Sequence, residues 1–263
     1  MTSALPEYHV SGSGDTTIFM LHGAYGDGRY FANTERVLAD AGFRVLVWNC
    51  PGYGEEATPS DFSIDLAGDA AAALIAAEGT GTNIVLGHSM GALIAPNAAM
   101  KSEGRVHGII LSGASVGFQN RTPEDQARFL RERISPITDG GMTVAEYAPG
   151  LLKTMMAPGA SGDLVDLVGK VVTEMKTETF MASMKALTSY NNMPATQAIN
   201  VPTLLLSGEF DTACPPAGME KLAEIIPDSE YHMIRDAGHY AFAEQPDVFH
   251  RLVIEFLNRR FGR

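Results

Sequence analysis

Two cysteines in 263 residues, Cys50 and Cys214, are too few and too far apart for a disulfide framework, and no Cys or His cluster stands at metal-ligand spacing. Both are expected as free thiols, and no metal is expected. Positive charge is scarce as well. Against 31 Asp and Glu stand 19 Lys and Arg, a formal net charge of −12 with a pI near 5.0. An acidic surface attracts neither nucleic acid nor an anionic bilayer, so neither is expected as a partner, and the charge is read as serving solubility. No apolar run is long enough to span a bilayer. The opening Met-Thr-Ser-Ala-Leu-Pro-Glu-Tyr has no basic or apolar leader segment, and a cytoplasmic location is the expectation. Internal repeats and low-complexity tracts are also lacking.

A dinucleotide fingerprint is missing too. The loop His22-Gly23-Ala24-Tyr25-Gly26-Asp27-Gly28 has neither the third glycine nor the acid about twenty residues later that such a site requires. No cofactor is therefore expected. What the chain does have is 45% hydrophobic and 19% charged residues, enough to bury one large core with an insertion.

Tyr8 to Ser11 and Thr17 to Leu21 read as two strands joined by the turn Gly12-Ser13-Gly14-Asp15, a composition suited to a hairpin. A helix from about Tyr30 to Ala41 stops at Gly42, and Phe43 to Trp48 is the next buried strand. Ser63 or Asp65 can cap an Ala-rich helix that runs to Glu78. The strand Asn83-Ile84-Val85-Leu86 then breaks into Gly87-His88-Ser89-Met90-Gly91 and a helix to about Met100, and Val106 to Leu111 is another strand. Such alternation marks right-handed βαβ units and a parallel sheet covered on both faces.

From Val116 to Asn192 the strands stop and helix starts follow one another. Thr122 precedes Pro123-Glu124-Asp125, Thr143 and Glu146 fit a capping box, Ser161 can cap a third helix, and Thr177 to Tyr190 is helical by spacing. Residues 116–192 are thus expected as a helical cap inserted into an α/β core of residues 1–115 and 193–263. The core resumes with the strand Pro202 to Leu206, a helix Pro216 to Ile226, a strand Tyr231 to Ile234 and a last helix Pro246 to Phe261.

In an open parallel sheet, ligands bind beyond the carboxyl ends of the strands. Four loops meet that condition. After Leu21 comes His-Gly-Ala-Tyr, after Leu86 comes Ser89, after Leu206 comes Ser-Gly-Glu-Phe-Asp211, and after Ile234 comes Arg-Asp-Ala-Gly-His239. A serine between glycines at i−2 and i+2 can sit on a sharp strand-to-helix turn with its hydroxyl exposed. That hydroxyl needs a base, and of the seven histidines His239 alone follows a strand late in the chain within a Gly-containing loop. The imidazole in turn needs a carboxylate to fix its tautomer. Asp211 is favoured over Glu209 and Asp236, and the loop after Leu111, Ser-Gly-Ala-Ser, offers none. For an oxyanion, Met90 supplies a backbone N–H at a helix start, and Ala24 a second, with Tyr25 as the alternative donor or a lining side chain. His88, Tyr240, Met142, Met155 and Met181 are further expected lining residues, and Met156, Met175 and Met184 join those methionines as a candidate adaptable apolar lining. Arg121, Arg128, Arg131 and Arg133 are read mainly as a solvated helix face, with binding of a substrate carboxylate as the alternative.

Taken in order, His22-Gly23, Pro51-Gly52-Tyr53-Gly54, Gly87-His88-Ser89-Met90-Gly91, Gly208-Glu209-Phe210-Asp211 and Gly238-His239 followed by Glu244-Gln245-Pro246 resemble the α/β-hydrolase family over nearly the whole chain. The resemblance implies a mostly parallel eight-stranded sheet with helices on both faces, an inserted helical cap and a Ser89-His239-Asp211 triad. Serine at 89 disfavours dehalogenase and epoxide-hydrolase chemistry, where family members carry aspartate. Tyr240 stands where ring-cleavage C–C hydrolases of the family usually carry tryptophan, and Asn49 and Pro51 replace a common acid and arginine. The chain is most similar to small-molecule carboxylesterases and enol-lactone hydrolases. The leading expectation is serine hydrolysis of an ester or lactone. The alternatives are C–C bond hydrolysis of a ring-cleavage diketone acid and a non-hydrolytic binding or cofactor-free oxygenase role.

Overall fold

A computed structural model describes residues 5–118 and 121–262. Its strands are β1 (Tyr8–Ser11), β2 (Thr16–Leu21), β3 (Arg44–Trp48), β4 (Thr82–His88), β5 (Gly108–Ser112), β6 (Thr203–Gly208) and β7 (Ser229–Ile234). They form one sheet in the order β1-β3-β2-β4-β5-β6-β7, in which only the β1–β3 pairing is antiparallel. Seven strands stand among the described residues where eight were expected. Ahead of β1 the described segment is Leu5-Pro6-Glu7, and Pro6 has no N–H to offer a ladder.

The expected β1–β2 hairpin does not form. β1 pairs with β3 instead, Tyr8 opposite Trp48 and Ser11 opposite Val45, so the Gly12–Asp15 connection must cross over β3. Its glycines allow the crossing. A Cβ on Gly12, whose φ is +68°, would lie 2.3 Å from the Phe43 carbonyl oxygen, and one on Gly14 would lie 2.6 Å from that of Gly42.

The inner strands are apolar and fully buried because helices cover both sides. One layer pairs α1 (Ala32–Asp40), which follows a 3-10 turn at Gly28–Phe31, with α11 (Pro246–Phe261). The other holds α2 (Ile64–Glu78), α3 (Met90–Lys101), α8 (Met193–Gln197) and α9 (Pro216–Ile225). Ser63 caps α2, accepting from Leu66 N at 3.1 Å. Helix α3 is buried from Met90 to Ala98, and its small residues let it lie close to the sheet. The tightest contact is at Gly91, where a Cβ would stand 2.1 Å from the Leu21 carbonyl oxygen. Gly91→Ala is therefore expected to cost about 3 kcal/mol or more through overpacking against backbone. Urea unfolding at constant m-value is the check, and a loss below 1 kcal/mol would show that the two elements can separate freely.

Between β5 and β6 the chain makes α4 (Pro123–Thr138), α5 (Val144–Met155), α6 (Asp163–Thr173) and α7 (Thr177–Ser189), with α4 packed on α7 and α5 on α6. Thr122 caps α4, and the Thr143–Glu146 capping box opens α5. Ser161 does not cap α6. That role falls to Gly162, whose φ of 115° turns the chain in without a side-chain bond. Among the described residues no helix is long and apolar enough to cross a membrane.

Candidate active site

Four strands end at one place. Loops after β2, β4, β6 and β7 bring Ala24, Ser89, Asp211 and His239 to the carboxyl edge of the sheet. Ser89 sits at the N-cap of α3 with φ 55° and ψ −112°, a conformation costing an L-residue about 1–3 kcal/mol. Backbone bonds hold it there: Ser89 N donates to Ser112 O at 2.9 Å, and Ala92 N donates to Ser89 O at 3.0 Å. The flanking glycines are required for contact. A Cβ on Gly87 would lie 2.2 Å from Gly91 O, and one on Gly23 would lie 3.0 Å from Ser89 Cβ. The side chain of Ser89 is half-buried and borders a cavity of about 260 Å³ that His239 also borders. Among the described residues the Ser89 hydroxyl makes no hydrogen bond.

The acid and the imidazole are directly joined. His239 Nδ1 donates to Asp211 Oδ2 at 2.8 Å, with both side chains all but inaccessible. The other oxygen, Asp211 Oδ1, accepts from Ala213 N at 2.9 Å and Cys214 N at 2.7 Å, so the carboxylate cannot swing away. Glu209 instead accepts from Asp236 N at 3.2 Å, and of the three candidate acids it is Asp211 that bonds the imidazole. Behind the pair, Gly113 adopts φ +56°, and a Cβ there would come within 3.1 Å of the His239 ring.

Two fastenings of the site leave little trace in the sequence. His239 N donates to Met155 O at 2.7 Å, tying its loop to the end of α5. Glu244, in the short helix α10 (Ala241–Glu244), accepts from Ala157 N at 2.7 Å, Gly238 N at 2.9 Å and Tyr240 N at 3.0 Å. Burial raises the Glu244 carboxyl pKa, with the three N–H groups opposing. On the other side, the Tyr53 hydroxyl reaches Ala24 O at 3.1 Å and also contacts Ser183 of α7. In the sequence Glu244 and Tyr53 stand out only within the runs Glu244-Gln245-Pro246 and Pro51-Gly52-Tyr53-Gly54, since a residue that props a loop has no spacing of its own.

His22 and His88 support the turns. His22 Nδ1 donates to Gly23 O at 2.8 Å and its Nε2 accepts from Cys50 N at 2.9 Å, an arrangement only the neutral ring can make. Burial lowers its pKa to about 4. His88 is buried with its ring 4.8 Å from that of His239, and the Ser112 backbone faces it without a hydrogen bond of ordinary geometry. Burial first, and then the charge of His239, hold its pKa well below the usual histidine value. It therefore adds no second positive charge beside His239. His250, bonded to Thr34 Oγ1 at 3.0 Å, is lowered to about 4, again by burial.

These three rings are neutral when folded but free to protonate near pH 6.5 when unfolded. The unfolded chain thus binds more protons below that value, and stability present above pH 6.5 is lost as pH falls toward 4. Each ring is expected to contribute on the order of 1 kcal/mol per pH unit in that window, partly offset by Glu244. Urea midpoints at pH 7.5, 6 and 5 read this directly, and a flat profile would mean that the rings are solvated.

Of the expected lining residues, Tyr25 and Met155 border the cavity. His88 and Tyr240 do not; their rings pack against each other and against Phe242. Met142 lies 37% exposed just before α5 and Met181 packs half-buried against the core, while Met184, as expected, and Leu187 of α7 line the cavity. Met90 also borders it. Among the described residues the N–H groups of Ala24, Tyr25 and Met90 have no protein acceptor. A larger cleft of about 470 Å³, lined by Glu7, Asp27, Arg29 and Glu174, includes none of Ser89, Asp211 or His239.

Both cysteines are free, Cys50 buried and Cys214 partly so. Cys214 stands with Asp211 and His239 so that one ligand atom of each lies within 4.8 Å of the others. Asp211 and His239 are already bonded to each other there, and burial holds the thiol well above its usual pKa.

A serine on a strained turn, an imidazole backed by a buried carboxylate and free N–H groups beside them are the parts of a nucleophilic hydrolytic site. The model of the α/β-hydrolase fold matches residues 16–246, and the chain belongs to that family. It is 28% identical over 272 residues to a 2-hydroxy-6-oxononadienedioate/2-hydroxy-6-oxononatrienedioate hydrolase of Dechloromonas aromatica, covering 95% of this chain and 89% of the relative. Among solved structures, a thermophilic esterase from Thermogutta terrifontis matches with a TM-score of 0.84 at 25% identity, covering 96% and 93% of the two chains. The enol-lactonase from Burkholderia xenovorans matches with a TM-score of 0.81 at 22% identity, covering 96% of each. The protein is an enzyme, a hydrolase.

Proposed function

We propose that the enzyme hydrolyses a carboxylic ester or lactone of a small to medium-sized molecule through an acyl-enzyme on Ser89. The observation that carries this is His239, bonded at 2.8 Å to the buried Asp211 and bordering one cavity with the serine of the strained turn. Ser89 Oγ attacks the acyl carbon and passes its proton to His239 Nε2, while Asp211 holds the Nδ1 proton and stabilises the imidazolium. The N–H groups of Met90 and of Ala24 or Tyr25 receive the oxyanion. His239 then protonates the leaving oxygen, and water activated by the same ring frees the acid. Residues 116–192 act as the cap over this cavity, with Tyr25, Met155, Met184 and Leu187 supplying apolar walls.

A second reading is favoured by the name of the Dechloromonas relative: hydrolysis of a C–C bond in a ring-cleavage diketone acid with the same residues. Labelling with a fluorophosphonate, with the adduct mapped to Ser89, tests the nucleophile common to both. Initial rates on a panel of esters, lactones and coloured ring-fission acids then separate them. A rate confined to bleaching of the coloured acid would replace the first reading by the second.

A further inference from the structure

The cavity beside Ser89 carries two positive charges that the reaction does not use. Arg121, just ahead of α4, and Arg133, within it, both border the cavity. They are held by aromatic faces. The Arg121 guanidinium carbon lies 4.5 Å from the centroid of Phe118 and 5.5 Å from that of Phe129, and Arg133 lies 5.1 Å from Phe129. The two rings are themselves 4.7 Å apart. Stacking fixes a guanidinium through its flat face and leaves its N–H edge free for a ligand.

The partners these arginines lack are informative in a chain of net charge −12. Arg29, Arg36, Arg44, Arg128, Arg251, Arg259 and Arg260 each meet a carboxylate. Among the described residues no carboxylate pairs with Arg121 or Arg133; Arg105, Arg131 and Arg235 also go without one, but they do not border the cavity, and no Asp or Glu lines it. Arg133 is half-buried, and its charge is felt at the buried Tyr25 hydroxyl on the cavity wall. A cation in an apolar wall without a counter-charge is costly when the site is empty and repaid when an anion binds.

We infer that Arg133, with Arg121 at the mouth, binds a carboxylate carried by the substrate, at the end remote from the bond that Ser89 attacks. This deepens the proposed hydrolase reading and rests on it for the placement of the reacting bond. The preferred substrates are then monoesters, lactones or diketone acids bearing a free carboxylate, and their neutral counterparts are poor. The stacked pair sets which acid is accepted. It takes no part in bond cleavage.

The test compares kcat/KM on mono-p-nitrophenyl glutarate with that on p-nitrophenyl butyrate, a neutral ester of similar size. In the unaltered enzyme the ratio is expected to favour the glutarate ester. Arg133→Met is expected to lower that ratio about 10- to 100-fold, the loss of charge-assisted hydrogen bonds, and Arg121→Met by less. Arg133→Lys should restore part of it. Arg131→Met, an exposed position on the same helix, should leave both rates as they were. A ratio unmoved in the Arg121→Met/Arg133→Met double variant, with its melting curve intact, overturns the inference. If fluorophosphonate fails to label Ser89 and neither ester turns over, the hydrolytic reading has failed. Calorimetric titration with glutarate then decides this inference alone: binding lost in the double variant upholds it, and absent or unchanged binding overturns it.

Discussion

Ser89→Ala is expected to reduce turnover of any ester substrate by on the order of 10⁴- to 10⁶-fold while the protein folds as before. The second half of that expectation is as structural as the first. The turn is held by the backbone bonds to Ser112 and Ala92, and the serine hydroxyl bonds to nothing among the described residues, so alanine removes no support. Alanine also keeps the Cβ that the φ of 55° already accommodates. Steady-state kinetics together with a thermal melt check both halves. Residual activity above one part in a thousand, in a preparation free of the unaltered enzyme, would remove Ser89 from the role of nucleophile.

Asp211→Asn is expected to lower kcat by about 10³- to 10⁴-fold, and the geometry says why. Asp211 Oδ1 accepts from two backbone N–H groups, at Ala213 and Cys214. An asparagine must turn its carbonyl oxygen toward those donors, which leaves its NH₂ facing His239 Nδ1. The imidazole can meet that NH₂ only by accepting at Nδ1. Its proton then sits on Nε2, where it cannot take one from serine. Stability should change little, since each bond keeps a donor and an acceptor. A variant active within tenfold of the parent would show that the ring finds its tautomer without help.

How much of this could be read from residues alone follows from what each feature depends on. Asp211, Ser89 and His239 were legible because each follows a strand, and strand ends in a parallel sheet converge by geometry. The helix starts at Ser63, Thr122 and Thr143 were legible for a local reason, since a cap is a bond between neighbours in sequence. Pairing was less so. The Gly12–Asp15 turn has hairpin composition, yet the choice between β2 and β3 as partner for β1 lies in long-range register that no short window contains. The cavity wall was least legible. Methionines at helical spacing mark buried faces, but whether a face meets the core or the substrate depends on how α4 to α7 lie over the sheet, and so of two methionines on one helix Met184 lines the cavity while Met181 packs against the core.

The bonds from His239 N to Met155 and from Ala157 N to Glu244 also bear on how such enzymes can be recombined. By sequence the base belongs to the sheet, but by attachment it belongs equally to the helices laid over it. A chimaera that exchanges residues 116–192 for the corresponding stretch of a relative would replace the acceptor at 155 and the donor at 157 along with the walls of the cavity. Substrate preference and alignment of the base are therefore inherited together. A graft meant to change only the first must carry its own match to Glu244, and the useful crossover points lie outside the segment from Met155 to Ala157.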